Sequence, residues 1–426
     1  MVSKLSSDEV LHFLIIVTVT LVLARVLGEI CRKYKQAAII GEIVAGIILG
    51  PTILGTFSPH LFHDIYTSAP KAYGAFDGLA NVGIILLMFI AGFEVDLKQI
   101  RRDGKQATAI SLTGIIFPFA IGFGAAWFFY ERIFSQGSSN QFITSLFFGT
   151  ALSLTALSVI TKILMDLDIL KTKIGNLILT AAMIDDFLGW ILFSIIIQMM
   201  HSGKGEGSYI AVLLVVGFAA VMLTAGRWIV NKLLFAAHKN LKMGRVITLG
   251  ICLCFIGAII TEYLGVRGVF GAFLMGIAIG DSEYFSERHK LVLHQFTVNI
   301  IAPLFFASIG LRLNFVANFD LQVVAIIVAI AFIAKLLGTI IGGRISGMNK
   351  NESMAIAFGM NARGTQEIVL GLLALQVKII DEKVFEGLVV MTMVSIIVSG
   401  PVMKHYFLKD YKDPVTADLY QVSTED

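Results

Sequence analysis

The sequence predicts an all-α, polytopic membrane protein with thirteen transmembrane helices, and composition, apolar segment length and charge pattern all indicate this class. Of the 426 residues, 57% are hydrophobic and only 15% are charged, whereas about a quarter of the residues of a soluble protein are charged. The mean hydropathy is +0.84, which indicates a lipid bilayer as the surroundings. A net charge of +3 is too small for a nucleic-acid-binding surface, so we expect no nucleic acid as a partner.

Apolar segment lengths give the helix count. A spanning helix needs about 20 mostly apolar residues, and the segments that meet this test lie near 9–30, 37–56, 79–97, 107–130, 141–165, 174–200, 208–231, 245–263, 266–280, 291–311, 320–345, 353–377 and 385–408. The apolar run of the first segment is longer than that of a signal peptide, and no small-residue cleavage site follows it. We therefore expect this segment to be retained as a helix. We expect no soluble or nucleotide-binding regulatory domain, and a short cytoplasmic tail over 409–426.

Lysine and arginine alternate between loops in the way a membrane protein requires. The loops that follow odd-numbered segments hold 21 of the 33 basic residues, and the alternate loops together with the N-terminus hold 8. Positive loops face the cytoplasm. We therefore predict an external N-terminus and a cytoplasmic C-terminus in a bacterial-type cell (inner) membrane.

The three cysteines and the histidines offer no metal or disulfide site. Cys31, Cys252 and Cys254 lie in or beside apolar segments and form no Cys-x-x-Cys pair. We expect no cofactor.

An internal repeat relates the two halves of the chain. Residues 41–50 match 271–280, 87–97 match 305–315, and Phe148-Gly149 with Thr155 and Val159 align without gaps on equivalent residues of segment 12. The matches occur in the same order and always seven segments apart. An odd offset gives the halves opposite orientations, which is the inverted-repeat plan of secondary transporters.

Two adjacent carboxylates, Asp185 and Asp186, lie in the middle of segment 6. One Asp at the centre of a spanning helix costs about 3 kcal/mol, so two require a reason. The alternative is that they cap a helix break or lie in a loop. Two like charges this close cannot both ionise easily, which suits a site that holds either protons or a monovalent cation.

Lys335 is the predicted partner of this pair. It lies far from either end of segment 11, where an unpaired ammonium would be costly. The alternative is a lysine at a wet interface.

Segments 5 and 12 have the composition of broken helices. Segment 5 contains Ser153 and Thr155, and segment 12 contains Asn361, Arg363 and Glu367. Non-helical backbone at membrane depth lines a cavity or is buried in protein, and two such breaks at equivalent positions indicate an ion site. The Thr155 hydroxyl could bind an ion or bond back to its own helix. Arg363 and Glu367 are four residues apart and are expected to pair, whether for transport or for structure alone.

These residues together resemble the monovalent cation:proton antiporter-2 family, including its plant cation/proton exchanger branch. The motifs that carry the resemblance are Gly41–Pro51, Ser153–Ile160, Pro303–Leu311 and Gly359–Gly364, and the similarity extends over about residues 10–408. The resemblance implies the sodium/proton antiporter fold, with two discontinuous helices crossing, and a homodimer that works by an elevator-type motion. It divides the chain into a dimerisation domain (9–97 and 245–311), an ion-translocating core (107–200 and 320–408) and a linker helix (208–231).

The resemblance also implies roles for the site residues and an activity in pH homeostasis. Asp186 is similar to the carboxylate that carries cation and protons, Asp185 to the one that pairs with the lysine, and Thr155 to the polar residue of the first unwound segment. The Asp-Asp pair with lysine is typical of electrogenic exchangers of Na⁺ or Li⁺ for two H⁺. The Asn-Ala-Arg-Gly motif is closer to the branch that contains K⁺/H⁺ antiporters, so the resemblance leaves the identity of the transported cation open. It also leaves open whether the protein has an accessory regulatory subunit.

Two other classes fit the sequence less well. An intramembrane aspartyl protease needs its two aspartates on facing helices, whereas these are adjacent, so we expect a transporter and not an enzyme. A sodium-coupled solute symporter also uses broken helices, but the buried lysine and the Asp pair argue against it.

Overall fold

A computed structural model describes residues 5–34, 36–95, 104–134, 140–166, 169, 172–201, 208–240, 243–264 and 267–411, and these ranges contain helices and connections but no strand. The main helices are α1 (Ser7–Lys33), α2 (Ala38–Leu49), α3 (Pro70–Phe93), α4 (Gly104–Phe128), α5 (Gln141–Ser153), α6 (Leu157–Asp166), α7 (Lys173–His201), α8 (Ser208–Val221), α9 (Arg227–Asn240), α10 (Met243–Tyr263), α11 (Gly268–Gly280), α12 (Glu287–Phe296), α13 (Ala302–Gly310), α14 (Leu321–Ile345), α15 (Lys350–Met360), α16 (Thr365–Gln376) and α17 (Glu382–Tyr411).

The predicted all-helical membrane fold is confirmed. Within the described residues, 10 helices are long and apolar enough to cross a membrane. Segments 5 and 12 are each divided into two shorter helices, and segment 9 is the short helix α11. The count of thirteen spanning helices therefore stays a prediction.

The chain forms two compact units. The first takes its described residues from Met1–Phe93, Val221–Tyr263 and Arg267–Phe319, and the second from Glu94–Ala220, Leu264–Val266 and Asp320–Asp426. The predicted linker segment 208–231 is divided between them. The roles of dimerisation domain, core and linker stay predictions.

Within the first unit, α2 and α13 touch at their backbones. A methyl group added at Gly46 would lie 2.0 Å from the carbonyl oxygen of Ala307, and one added at Gly310 would lie 2.2 Å from that of Ile43. Both distances are far shorter than a van der Waals contact, so only glycine lets these helices approach this closely.

An equivalent contact joins α3 to α11. A methyl group at Gly276 would lie 2.1 Å from the carbonyl oxygen of Phe89, and one at Gly92 would lie 2.4 Å from that of Phe273. In the predicted internal repeat, these four residues are the counterparts of the four residues of the first contact. The same packing therefore occurs twice, as an inverted repeat requires.

The second unit is built around α4 and α14. These two helices pack against each other, α5 and α7 pack against α4, and α15 and α17 pack against α14. The helices α4, α7 and α14 supply Ser111, the two aspartates and Lys335 to the site described below.

The two predicted helix breaks lie within this unit. Helix α5 ends at Ser153 because Leu154 takes an extended conformation (ψ 158°), and α6 begins at Leu157. Helix α15 ends at Met360 and α16 begins at Thr365. The breaks contact each other: the backbone N–H of Ala156 donates to the carbonyl oxygen of Ala362 at 2.8 Å.

Candidate functional site

Asp185 and Asp186 are both buried inside the unbroken helix α7. Their exposed fractions are 0% and 1%, and the helix continues for more than two turns on either side. The alternative that they cap a break or lie in a loop is therefore wrong. Two adjacent positions on a helix point about 100° apart, so the carboxylates face different neighbours.

The Asp185 carboxylate is surrounded by polar side chains from α4, α14 and the first helix break. Its Oδ1 accepts from Ser111 Oγ on α4 at 2.5 Å. Its Oδ2 accepts from Lys335 Nζ on α14 at 2.7 Å and lies 2.9 Å from Thr155 Oγ1 in the first break. Both oxygens are thus hydrogen-bonded, and one bond is an ion pair.

Lys335 is completely buried and its ammonium is saturated. Besides Asp185, Nζ donates to the carbonyl oxygens of Gly114 at 2.9 Å and Ser153 at 2.5 Å. An ammonium has three N–H groups, and each has a partner. The alternative of a lysine at a wet interface is wrong, because the side chain is 0% exposed.

Asp186 is much less well satisfied than its neighbour. Gln366 Nε2 on α16 donates to its Oδ2 at 2.7 Å. Its Oδ1 is buried and has no hydrogen-bond partner among the described residues. A buried, unpaired polar atom costs about 1–3 kcal/mol and more when it is charged, so this oxygen needs a ligand.

Thr155 joins the Asp185 site to the second break. Its Oγ1 lies 2.7 Å from the carbonyl oxygen of Met360 as well as 2.9 Å from Asp185. The single O–H of threonine donates to one of these oxygens at a time. The alternative that this hydroxyl bonds back to its own helix is wrong, because both oxygens within reach belong to other segments.

Arg363, 0% exposed, covers the end of α5. Its guanidinium donates to the carbonyl oxygens of Ala151 at 3.1 Å and Leu152 at 2.7 Å, and reaches that of Ala331 at 3.4 Å. The carboxyl end of a helix carries partial negative charge and unpaired carbonyls. Arg363 and Lys335 together satisfy these carbonyls, which are therefore not open to bind an ion directly.

Glu367 has a different partner from the one predicted. Its Oε2 accepts from the backbone N–H of Gly364 at 2.8 Å, which caps the N-terminus of α16. Among the described residues, no ion pair within 4 Å joins Arg363 to Glu367. The predicted contact is wrong because the four-residue rule applies along a continuous helix, and Arg363 lies in the break before α16 begins.

The remaining predicted residues, Ser153 and Asn361, are both buried. The Ser153 hydroxyl donates to the carbonyl oxygen of Thr150 within its own helix at 2.7 Å, so this residue contributes its backbone oxygen to the site and not its side chain. Both side-chain polar atoms of Asn361 are enclosed without a partner in the described residues.

Two contacts of the aspartates did not emerge from the sequence. Ser111 is one hydroxyl in an apolar segment, and such residues usually bond within their own helix. Gln366 lies inside the polar run of segment 12, and an amide beside a helix break is the signal by which it could have been found.

The side chains around the two aspartates offer oxygen atoms as ligands. Within the part of the chain that the structure describes, no group of three or more His, Cys, Asp or Glu side chains could hold a metal ion. Carboxylate, amide and carbonyl oxygens are the hard ligands that alkali and alkaline-earth ions prefer.

The comparisons with known proteins now identify the family. The family model described as the transmembrane sodium/hydrogen exchanger matches residues 16–409. The chain belongs to the sodium/hydrogen exchanger family. Its members exchange monovalent cations for protons, so the chain is a multi-pass membrane transporter and not an enzyme.

Individual relatives agree with this assignment. The chain is 30% identical over 94% of its length to the Na(+)/H(+) antiporter NhaS4 of Synechocystis, covering 98% of that protein. It is 28% identical over 91% of its length to the Cation/H(+) antiporter 18 of Arabidopsis thaliana, and spans about half (48%) of that plant protein.

Solved structures show the same fold. The sodium proton antiporter MjNhaP1 of Methanocaldococcus jannaschii superimposes with a TM-score of 0.69 over 96% of this chain and 99% of that one, at 16% identity. The antiporter fold expected from the sequence motifs is therefore confirmed.

Proposed function

We propose that this exchanger moves Na⁺, or Li⁺, against protons and that Asp186 carries both in turn. The observation that carries the proposal is the inequality between the two aspartates. Asp185 accepts from Ser111 and Lys335 and shares the Thr155 hydroxyl with the Met360 carbonyl oxygen, whereas Asp186 has one donor and a buried oxygen without a partner. The unsatisfied carboxylate is the one with a free coordination position.

Charge neutralisation explains why the site releases its ions alternately. The positive charge of Lys335 balances that of Asp185, which leaves ionised Asp186 as an uncompensated charge in a buried site. A bound cation or a proton removes this charge, and buried uncompensated charge is strongly disfavoured. Only the occupied forms can then pass between the two membrane faces, and cation and proton compete for one carboxylate.

The competition fixes the direction of the pH dependence. A cation binds only when the Asp186 carboxylate is ionised, so exchange rises as the pH is raised through the apparent pKa of the site. Arg363 and Glu367 support this site, because they compensate the dipoles at the ends of the broken helices.

The identity of the cation rests on two observations that point in different directions. The Asp-Asp pair with a buried lysine, together with relatives named as Na(+)/H(+) antiporters, supports Na⁺ or Li⁺. The second candidate is a K⁺/H⁺ antiporter, which the Asn361-Ala362-Arg363-Gly364 motif favours. Exchange in proteoliposomes, measured with each cation separately, distinguishes them.

The proposal includes the remaining expectations from the family resemblance. These are an elevator-type motion of the core (107–200 and 320–408) against a dimerisation domain (9–97 and 245–311), a homodimer, and a cytoplasmic C-terminus. Cross-linking of the purified protein in lipid tests the dimer, and labelling of single cysteines placed at each end of the chain tests the orientation.

Replacement of Asp186 tests the assignment of the carrier. Asp186→Asn keeps an oxygen that can accept from Gln366 but cannot ionise, so Na⁺-driven proton movement in proteoliposomes should fall to that of protein-free vesicles. Asp8→Asn, the same change at an exposed position of α1, is the matched control and should transport normally. Proton movement driven by Na⁺ that survives in Asp186→Asn overturns the assignment.

A further inference from the structure

Gln366 is the one described side chain that bonds directly to Asp186. It is the second residue of α16 and is 3% exposed, although 180 positions of sequence separate it from Asp186. Its Nε2 donates to Asp186 Oδ2 at 2.7 Å. The sequence motifs assigned no role to this residue.

The other end of the same amide is without a partner. Gln366 Oε1 is buried and accepts no hydrogen bond from the described residues, and the same is true of Asp186 Oδ1. Two buried oxygens without donors therefore belong to two side chains that are hydrogen-bonded to each other. Each costs free energy in the empty site, and a single cation that contacts both would remove both costs.

The carboxamide suits every form of the site. With Asp186 ionised, the N–H of Gln366 donates to the carboxylate, as the structure shows. With Asp186 protonated, rotation of the amide lets Oε1 accept the carboxyl O–H, because an amide carries both a donor and an acceptor. With a cation bound, Oε1 is a neutral oxygen ligand beside the charged one.

We propose that Gln366 is a ligand of the transported cation and sets its selectivity, through the unpartnered oxygen of the amide whose nitrogen donates to Asp186. This inference rests on the proposed function and deepens it. Selectivity among alkali ions depends on the number, spacing and field strength of the coordinating oxygens. One carboxylate and one neutral amide oxygen together exert a weaker electrostatic field on the cation than two carboxylates do. They exert a stronger field than a carboxylate alone.

Three substitutions distinguish a Gln366 that binds the cation from a Gln366 that only positions Asp186. Gln366→Leu removes the amide, and the apparent KM for the preferred cation should rise by about tenfold, the equivalent of one lost ligand. Gln366→Asn withdraws the oxygen by about 1.5 Å, one C–C bond, and should shift the ratio of KM values for Li⁺, Na⁺ and K⁺ towards the larger ions. Gln366→Glu adds a second carboxylate and should shift that ratio towards the smaller ions.

The control is Gln376→Leu, the same change at an exposed position of the same helix, which should leave all KM values as in the wild type. Exchange is measured in proteoliposomes over a range of each cation. The thermal unfolding midpoint of each purified variant is measured with and without the cation, which reports binding even where transport is lost.

The outcomes are distinct. Altered KM ratios, with cation-induced stabilisation altered in the same order, support the inference. Unchanged ratios in the Asn and Glu variants, with a lower maximal rate for every cation, show that Gln366 only positions Asp186 and overturn it. Absence of cation-driven proton movement in the wild type would instead overturn the proposed function, while the thermal measurement would still test the ligand.

Discussion

At the scale of single residues, the site shows how a protein makes neighbouring aspartates chemically different. Asp185 and Asp186 are adjacent and equally buried, so burial alone does not distinguish them. Their partners do, because the helix directs one towards α4 and α14 and the other towards α16. A buried ion pair with extra hydrogen bonds is tolerated, whereas a buried carboxylate with one donor is reactive towards any cation or proton that reaches it.

Asp320 is a residue whose contribution can be measured separately. It caps α14 by accepting from the N–H groups of Gln322 and Val323 at 2.9 and 3.1 Å, and it accepts from Lys383 Nζ at 2.6 Å, which joins α14 to α17. The hydrogen bond from Lys383 is the largest cause that lowers the pKa of this carboxyl below its usual 3.8.

We predict that Asp320→Ala lowers the free energy of unfolding by about 1 kcal/mol, the usual contribution of an N-cap. Asp320→Asn keeps the cap and should lose only the contribution of a partly exposed ion pair, a few tenths of a kcal/mol. Because the folded pKa is depressed, the ion-pair contribution is present above pH 3.8 and is lost as the pH falls through the folded value. Thermal unfolding in detergent between pH 3 and 7 checks this, and equal losses in both variants would contradict the capping role.

At the scale of helices, the breaks of segments 5 and 12 were predictable and their contacts were not. Polar residues within an apolar segment indicate a helix break. The unpaired backbone groups of a break at membrane depth must be enclosed by protein or line a cavity, and polar side chains are tolerated in the same surroundings. That Lys335 pairs with the aspartates also followed, since each buried charge needs a partner of opposite sign, and the family resemblance implied Asp185 as the one that it contacts. The sequence did not indicate Gln366 or Ser111 as partners, because neutral polar side chains satisfy themselves in many ways and only the crossing of helices decides which.

The same reason explains the wrong prediction for Arg363. The four-residue spacing to Glu367 is a pairing signal only along one helix, and the chain changes direction between them. Where the backbone is irregular, spacing in sequence no longer gives direction in space. The carbonyl groups exposed by the end of α5 provide the alternative partners.

The glycine contacts of the first unit provide a test at this scale. Alanine at Gly46 or at Gly276 should destabilise by about 1–3 kcal/mol, the range for overpacking, and by similar amounts, because each methyl group meets a backbone oxygen that cannot rotate away. The double variant G46A/G310A should lose less than the sum of its single changes, since both alter one contact. The double variant G46A/G276A should lose the sum to within about 0.5 kcal/mol.

Thermal unfolding midpoints of the purified variants measure these differences. Gly124→Ala is the control, because an added methyl group there meets nothing within 4 Å. A harmless G46A variant would show that the helices separate without cost and would contradict the backbone contact.

At the scale of the whole molecule, the charges of the site determine how much charge one transport cycle moves. In the proton-loaded form, Lys335 and Asp185 cancel and Asp186 is neutral, which gives zero. If Lys335 keeps its proton, the cation-loaded form is neutral as well, and the cycle exchanges one proton for one cation without moving charge. If Lys335 releases its proton when the cation binds, the cation-loaded form has two carboxylates, one cation and a neutral lysine, which gives minus one. The cycle then exchanges two protons for one cation and responds to membrane voltage.

We predict that Lys335→Ala and Lys335→Arg both lose this voltage dependence. Alanine cannot carry a proton, and arginine holds its proton far more tightly than lysine because its positive charge is delocalised over the guanidinium group. Exchange rates in proteoliposomes with and without an imposed potential measure the effect. Arginine preserves the positive charge beside Asp185, so voltage dependence that persists in Lys335→Arg would assign the lysine a structural role alone.

The two glycine contacts of the first unit also bear on the ancestry of the chain. The predicted internal repeat pairs residues of one half with residues of the other, and most of the paired residues differ. Yet each half has glycine at both of its positions in these two contacts, Gly46 and Gly92 in the first half and Gly276 and Gly310 in the second. The two halves therefore agree at the positions where a side chain has no space.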